Sequence, residues 1–119
     1  MLFRSHNGVF VPPRDVVGAL ARPGGFTELP QSRDRSLCCG SGGGYAWMDD
    51  KPLKRINHMR LEQVKGCGAT TTAVACPFCM QMFDDAIAAL DPDRDLRAAD
   101  IAELVAEALV APAPSEAAP

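Results

Sequence analysis

The chain has 119 residues and a formal net charge of −3, with no block of like charges. It is long enough for one domain with a modest core, and its charge excludes a footprint for nucleic acid or an anionic membrane surface. No apolar run approaches the roughly 20 residues that span a bilayer, and the first residues lack the regions of a signal peptide. These features predict a cytoplasmic protein without direct membrane insertion, and leave open its association with a membrane-bound partner.

The first elements are predicted from apolar spacing and from turn residues. Residues 11–20 have helical spacing, with two prolines at the entry and Gly24 and Gly25 as a stop. Residues 26–30 are a short run bounded by turn residues, which predicts a strand leading towards Cys38 and Cys39. The glycines at 42–44 can adopt backbone angles forbidden to other residues and let the backbone approach a bulky ligand.

The middle of the chain predicts a helix, a strand and a second helix. Residues 51–65 are amphipathic and end at a glycine, which predicts a helix. Residues 70–75 are β-branched and apolar, as in a buried strand that leads directly to Cys76. From Pro77 a helical pattern continues to residue 90, with Cys76 at its N-cap and Cys79 in its first turn.

The last elements complete an α/β pattern. Residues 96–99 are expected to form a strand, Asp100 to cap a last helix that begins at Ile101, and residues 111–119, rich in Ala and Pro, to be a disordered tail. Strands that alternate with helices predict a small parallel sheet flanked by helices, in which ligands gather at the C-terminal ends of the strands. We expect both cysteine groups to lie at that edge.

Cysteine chemistry is the strongest functional signal. The chain has five cysteines, an odd number without a secretion signal, which disfavours a disulfide framework. Four of them form an adjacent pair, Cys38 and Cys39, and a C-x-x-C motif, Cys76 and Cys79. Thiolates are soft ligands that select zinc, copper(I) or iron–sulfur clusters, so the clustering indicates a metal centre.

The adjacent pair favours a cluster over a single zinc ion. A C-x-x-C motif alone fits a redox dithiol, half of a zinc site or part of a cluster. Neighbouring side chains on an extended segment point apart, so two adjacent thiolates reach one tetrahedral zinc only through a contorted backbone, whereas a cluster offers several separated iron atoms. The preference is steric, and zinc stays open as the alternative because the following glycines could absorb the strain.

Three segments carry a resemblance to a known family. They are residues 37–44 (LCCGSGGG) with 47–50 (WMDD), residues 55–60 (RINHMR), and residues 75–79 (ACPFC). Together they resemble the cysteine-rich "CCG" domain that occurs in heterodisulfide reductases and in the iron–sulfur subunits of glycolate oxidases. The greatest similarity is to the C-terminal part of actinobacterial iron–sulfur-binding oxidoreductases. The resemblance extends over about residues 5–109.

The resemblance implies an iron–sulfur electron-transfer domain of a heterodisulfide reductase-like oxidoreductase. It implies a cluster of the 4Fe–4S type, non-cubane in the heterodisulfide reductases, and redox partners such as ferredoxin-like or flavoprotein subunits. The expected thiolate ligands are Cys38, Cys39, Cys76 and Cys79. The family pattern has one more cysteine upstream, at the position of Met1, so residues 1–110 are expected to be an N-terminally truncated CCG domain. Whether this chain alone is an active enzyme stays open.

A second hypothesis is a structural zinc-binding or partner-docking module without redox turnover.

Other residues have a functional and a plain structural interpretation. His6 and His58 could supply imidazole ligands, but His58 fits better as a surface or capping residue. Arg55 and Arg60 could offset thiolate charge, although a solvated helix face is favoured. Cys67 is expected to be a structural residue. Trp47 and Met48 are expected either to cover a cluster or to fill the core.

Overall fold

Helices and strands alternate over the second half of the chain in the computed structural model, which describes residues 6–48, 54–93 and 95–110. This alternation confirms the predicted small α/β fold. The elements are α1 (Val11–Leu20), 3₁₀ turns at Arg33–Arg35 and Gly42–Trp47, α2 (Ile56–Gly66), β1 (Thr71–Val74), α3 (Pro77–Leu90), β2 (Arg97–Asp100) and α4 (Ile101–Val110).

The strands β1 and β2 pair in parallel and are joined by α3. Thr71 is opposite Arg97 and Val74 is opposite Asp100, so both strands end at the same edge of the sheet. Along β1 the buried residues Thr72 and Val74 alternate with the exposed Ala73, because successive side chains on a strand point to opposite faces. The predicted strands at 70–75 and 96–99 are confirmed to within about one residue.

The core lies where α2 packs against α3 and α3 packs against the sheet. Leu61 and Val64 on α2 are fully buried, and they belong to one apolar cluster with side chains from α3 and the sheet. The same cluster includes Cys39 and Cys79. The two cysteines are therefore held by the packing of the core itself. The remaining buried members are Val74, Phe83, Ala86, Ile87 and Leu96.

The start of α4 has the predicted cap. Asp100 Oδ1 accepts a hydrogen bond of 2.8 Å from the backbone N–H of Ala102, and Glu103 Oε2 accepts one of 2.9 Å from the N–H of Asp100. This reciprocal arrangement satisfies two N–H groups at a helix start that have no partner within the helix. It also turns the chain directly from β2 into α4, which contacts α1 and the sheet.

The predicted strand over 26–30 is wrong. These residues have no ladder partner, since the sheet of the described residues contains only β1 and β2. Side chains hold the segment instead: Glu28 pairs with Arg14 of α1, and Arg60 of α2 donates to the carbonyl oxygen of Gln31. Cys76 thus follows a strand as expected, whereas the segment before Cys38 contains none.

The helix predicted over 51–65 begins later than expected. Arg55 has extended backbone angles and α2 begins at Ile56, while residues 51–53 lie outside the described residues. The predicted tail at 111–119 and the position of Met1 also lie outside them. The longest helix within the described ranges, α3, has 14 residues, and no helix there is long and apolar enough to cross a membrane.

Candidate metal centre

The turn from β1 into α3 positions the C-x-x-C motif. Cys76 is the N-cap of α3 in an extended conformation, with φ −154° and ψ 126°, and Pro77 occupies the first helical position, where its missing N–H is not needed. Cys79 lies in the first turn, with 8% of its surface exposed. Both positions agree with the sequence prediction. The motif therefore presents sulfur beside the free N–H groups and the positive end of a helix dipole.

The cysteine pair approaches this helix end from the other side. Cys39 is 6% exposed, and its Sγ accepts a hydrogen bond from the Cys79 thiol across 3.3 Å. The separation is well beyond the roughly 2.05 Å of a disulfide bond, so these are two free thiols in contact. The Sγ of the half-buried Cys38 accepts a hydrogen bond of 3.4 Å from the backbone N–H of Gly40. The pair and the motif thus meet at one site.

Glycines allow the loop to pass this close. Gly40 has φ +96°, and a Cβ at that position would lie 3.3 Å from Ile56 Cβ and 3.3 Å from Met82 Cε. A Cβ on Gly42 would lie 3.2 Å from Cys38 Sγ. The absence of side chains therefore lets the backbone wrap around the sulfur of Cys38 and pack against α2 and α3. The predicted approach of the loop to a bulky ligand stays a prediction.

The contact between Cys39 and Cys79 shifts the pKa values of the two thiols in opposite directions. The hydrogen bond from the Cys79 thiol lowers the pKa of Cys39 to about 6, against the effect of burial, and the backbone N–H of Ser41 adds to the lowering. Donating that hydrogen bond, together with burial, raises the pKa of Cys79. The shared hydrogen bond therefore favours Cys39 as the thiolate and Cys79 as the thiol.

Cys76 is also biased towards the thiolate. Burial acts to raise its pKa, but the backbone N–H groups of Cys79 and Phe78 outweigh this effect and leave the pKa lowered. These N–H groups belong to the first turn of α3 and have no partner within the helix. The site thus offers anionic sulfur, and its predicted ligand set contains no carboxylate.

The donor set fits a group bound by soft thiolates. Two buried sulfurs are in contact, a third lies at the helix N-cap, and glycine backbone surrounds the fourth. Among residues 6–48, 54–93 and 95–110, no group of three or more Cys, His, Asp or Glu side chains is placed to hold a single metal ion. The evidence for a metal centre is therefore the chemistry of the four sulfur donors. It is not an arrangement of side chains that already surrounds a single ion.

The remaining candidate ligands lie elsewhere or are placed differently from expectation. Cys67 is at the C-terminal end of α2, with its Sγ 3.9 Å from the carbonyl oxygen of Glu28, and thus outside the four-cysteine site. His6 is exposed. The surface interpretation of His58 is wrong, because its Nε2 is buried and has no hydrogen-bond partner in the part of the chain that the structure describes.

Two polar residues of α2 have roles that were not predicted. Asn57 is 2% exposed, and its Nδ2 donates a 3.0 Å hydrogen bond to the carbonyl oxygen of Met82, which ties α2 to α3. Its spacing with Leu61 and Val64 was the available signal, because positions i, i+4 and i+7 share one helix face. Arg60 is half-buried, so the solvated-face interpretation is wrong for it.

An exposed apolar pair lies beside the C-x-x-C motif. Trp47 is 73% exposed and Met48 is 59% exposed, so the prediction that they fill the core is wrong. The Trp47 ring meets the ring of Phe78 edge to face, with centroids 5.9 Å apart and planes at 80°. Because Phe78 lies within the motif, this contact places the end of the glycine loop next to the start of α3.

Comparison with known proteins identifies the family. The sequence model of the family "CCG: Cysteine-rich domain" matches residues 18–84, and these include all four cysteines of the site. The chain therefore belongs to the CCG cysteine-rich domain family, as its motifs predicted. The further resemblance to actinobacterial oxidoreductases stays a prediction.

Curated relatives from several organisms are much longer than this chain. It is 33% identical over 106 residues to a probable iron-sulfur-binding oxidoreductase, FadF, of Bacillus subtilis, covering 88% of this chain and 15% of the relative. It is 31% identical over 111 residues to the EtfAB:quinone oxidoreductase of Syntrophomonas wolfei, covering 87% and 15%.

A third relative is one of the subunits of a heterodisulfide reductase. The chain is 39% identical over 106 residues to this subunit of the dihydromethanophenazine:CoB–CoM heterodisulfide reductase of Methanosarcina barkeri, covering 87% of this chain and 25% of the relative. No solved structure matches the chain significantly. The chain thus spans about 15–25% of the length of these relatives.

Proposed function

We propose that this chain is an iron–sulfur cluster-binding electron-transfer domain of a heterodisulfide reductase-like oxidoreductase. The observation that carries the proposal is the contact between the buried thiols of Cys39 and Cys79 at the N-terminus of α3. Membership of the CCG family supports it, as do relatives named iron-sulfur-binding oxidoreductase and heterodisulfide reductase subunit. A cluster bound here would accept and release single electrons.

The proposed ligands are Cys38, Cys39, Cys76 and Cys79. The start of α3 stabilises anionic sulfur at Cys76 through its free N–H groups, and burial of Cys39 and Cys79 excludes water from the sulfur atoms. Gly40 and Gly42 keep the backbone close to these sulfurs without a steric clash. The protein thereby supplies ligands, orientation and a partly dry environment, and these properties influence the potential of a cluster.

We propose that other redox subunits or domains, ferredoxin-like or flavoprotein, exchange electrons with this domain. Relatives named EtfAB:quinone oxidoreductase and heterodisulfide reductase subunit support redox partners in general. A cytoplasmic location, with docking on a membrane-bound partner, belongs to the same proposal. The structure adds that the start of α3 lies next to the exposed rings of Trp47 and Phe78, and that Cys76 is half-buried.

The decisive experiment is metal analysis of protein purified without oxygen. Iron, acid-labile sulfide and zinc are measured in the wild type, in a Cys76→Ser/Cys79→Ser double variant and in Cys67→Ser. We expect iron and sulfide in equal amounts in the wild type and in Cys67→Ser, and almost none in the double variant. Cys67 is the matched control because it is a half-buried thiol outside the site.

Absence of iron from the wild type would contradict the proposal, and so would either of two other outcomes. Stoichiometric zinc without sulfide would favour the structural zinc module. Equal loss of iron in Cys67→Ser and in the double variant would show that the metal is not held by the proposed ligands. Circular dichroism of each variant verifies that loss of metal does not simply report loss of fold.

A further inference from the structure

Arg60 of α2 is fixed beside the cysteine site by uncharged acceptors. Its Nη1 donates to the carbonyl oxygen of Gln31 at 2.7 Å and to Gln63 Oε1 at 2.6 Å, and its Nη2 donates to Ser36 Oγ at 3.1 Å. These hydrogen bonds hold the plane of the guanidinium in one orientation. None of them neutralises its charge, because each acceptor is neutral.

Within the described part of the chain, no carboxylate forms an ion pair with Arg60. Among the ion pairs formed by the described residues none includes Arg60, although Arg55 near the start of the same helix pairs with Asp85 at 3.6 Å. Arg55 is exposed, whereas Arg60 is half-buried. Partial burial of an uncompensated charge is unfavourable, so a counter-charge is expected nearby.

Cys39 lies beside this charge. Arg60 and Cys39 line the same small cavity, together with Asn57, Met82 and Phe83. Burial lowers the pKa of Arg60, but the charges of Cys79 and Cys39 act in the opposite direction, ahead of the weaker effects of Cys67 and Glu28. The guanidinium therefore lies within range of the charges that these two sulfur atoms can carry.

We propose that Arg60 is an electrostatic positioning residue, whose fixed positive charge stabilises the anionic sulfur of Cys39 and favours the reduced state of a thiolate-bound cluster. The redox part of this inference rests on the proposed function. The effect on the sulfurs does not, because it concerns side chains of the chain itself. A cation near a site that gains an electron stabilises the reduced form, which is the more negative form.

The redox test compares the wild type with Arg60→Gln, which removes the charge, and Arg60→Lys, which keeps it. Arg55→Gln is the matched control beside the same helix, and Ser36→Ala removes one hydrogen bond of Arg60 without removing its charge. Potentials are measured by redox titration followed by electron paramagnetic resonance. In Arg60→Gln we expect the ratio of reduced to oxidised cluster at a fixed ambient potential to fall about tenfold, or about 59 mV for one electron.

The other three variants are expected to stay within about twofold of the wild type, since a lysine at position 60 keeps the cation and the controls leave Arg60 charged. An unchanged potential in Arg60→Gln would overturn the inference. So would an equal drop in Ser36→Ala, because that result would assign the effect to the hydrogen bonds and not to the charge.

A metal-free test separates this inference from the proposed function. Reduced, metal-free protein is treated with dianionic dithiobis(nitrobenzoate) or with neutral dithiodipyridine, and labelling of Cys39 is followed by mass spectrometry. The ratio of the anionic to the neutral rate should fall severalfold in Arg60→Gln and not in Arg55→Gln. If the wild type binds no iron, the proposed function fails, and this ratio still decides the role of Arg60.

A wild-type measurement covers the case in which Arg60→Gln does not fold. Screening by salt should lower the same ratio between about 10 mM and about 1 M NaCl, because the Debye length falls from about 30 Å to about 3 Å. A constant ratio over that range would overturn the inference. Arg55→Gln protein should show the wild-type salt dependence, since the charge removed there is exposed and paired with Asp85.

Discussion

Asp91 joins three parts of the fold through one carboxylate. It follows the last residue of α3, and its Oδ2 accepts a 2.9 Å hydrogen bond from the backbone N–H of Leu96, just before β2. Its Oδ1 accepts a 3.2 Å hydrogen bond from Nζ of Lys65 near the end of α2. The N–H of Leu96 and then Lys65 hold the pKa of Asp91 below its ordinary value.

This pKa shift predicts acid sensitivity. Because the folded pKa is lowered, the unfolded chain binds the proton more readily, so the stabilisation is complete above the ordinary pKa of an aspartate and is lost as pH falls through the folded value. In urea unfolding at pH 7, Asp91→Asn should be less stable than the wild type. The difference should shrink as pH falls below about 4 and vanish once the carboxylate is protonated.

Asp93→Asn is the matched control, since Asp93 is an exposed acid two residues away. It should leave the unfolding midpoint unchanged at every pH. The difference in stability between the wild type and Asp91→Asn could also persist undiminished at about pH 2. That result would show that the shape of Asp91, and not its charge, is stabilising.

The role of a residue could be predicted from the sequence only where it depends on neighbours that are close along the chain. The positions of Cys76 and Cys79 in α3 follow from a β-branched run that meets a proline, and the prediction was right. The burial of Arg60 could not be predicted, because its acceptors Gln31 and Ser36 are far along the chain. The sharing of a proton between Cys39 and Cys79 likewise depends on a contact across forty positions.

Among the elements, the glycine loop between Cys39 and α2 is tightly constrained. Gly40 combines a positive φ of +96° with close neighbours on both sides, Ile56 and Met82. An L-residue with a side chain is strained at this backbone conformation, and its Cβ would also be crowded by Ile56 of α2 and Met82 of α3. The loop is thus held in a conformation that only glycine tolerates at this position.

Gly40→Ala is therefore expected to destabilise the protein by about 1–3 kcal/mol and to lower its iron content. Gly18→Ala is the matched control. Gly18 lies within α1, is exposed, and an added Cβ would meet nothing within 4 Å. Alanine there should stabilise by about 0.5–1 kcal/mol. Urea unfolding measures both, and a neutral Gly40→Ala would show that the loop can relax.

Helices were predicted well where proline or glycine lies near both ends. The helix expected over 11–20 agrees with α1, since prolines begin it and a glycine turn follows it. The helix expected from Pro77 to residue 90 agrees with α3 for the same kind of reason. The strand expected over 26–30 failed because a strand exists only with a hydrogen-bonded neighbour, and no pattern within 26–30 can supply one.

At the scale of the whole molecule, the cysteine site and the hydrophobic core are one structure. Leu61 is completely buried and belongs to the same cluster as Cys39, Cys79 and Phe83. A close-packed interior transmits a change in volume to its neighbours. Loosening the core at a distance from the sulfur atoms should therefore also loosen the site.

Leu61→Ala should lower the free energy of unfolding by about 2–5 kcal/mol and speed the labelling of Cys39 in the metal-free protein. Leu109→Ala, which truncates a leucine that is 80% exposed, should change the free energy of unfolding by less than about 0.5 kcal/mol and leave the labelling unchanged. Urea unfolding and mass spectrometry provide the two measurements. Lower stability without faster labelling of Cys39 would show that the site is independent of the core.

The contact between Cys39 and Cys79 has a consequence for biogenesis. Forty positions separate the two residues, so the loop that joins them closes only after α2, β1 and the first turn of α3 have been synthesised. The C-x-x-C half of the site lies at the junction of β1 and α3, and β1 gains its hydrogen-bonded neighbour only when β2 has been synthesised. A cofactor that requires both halves would then be inserted only after synthesis has passed β2.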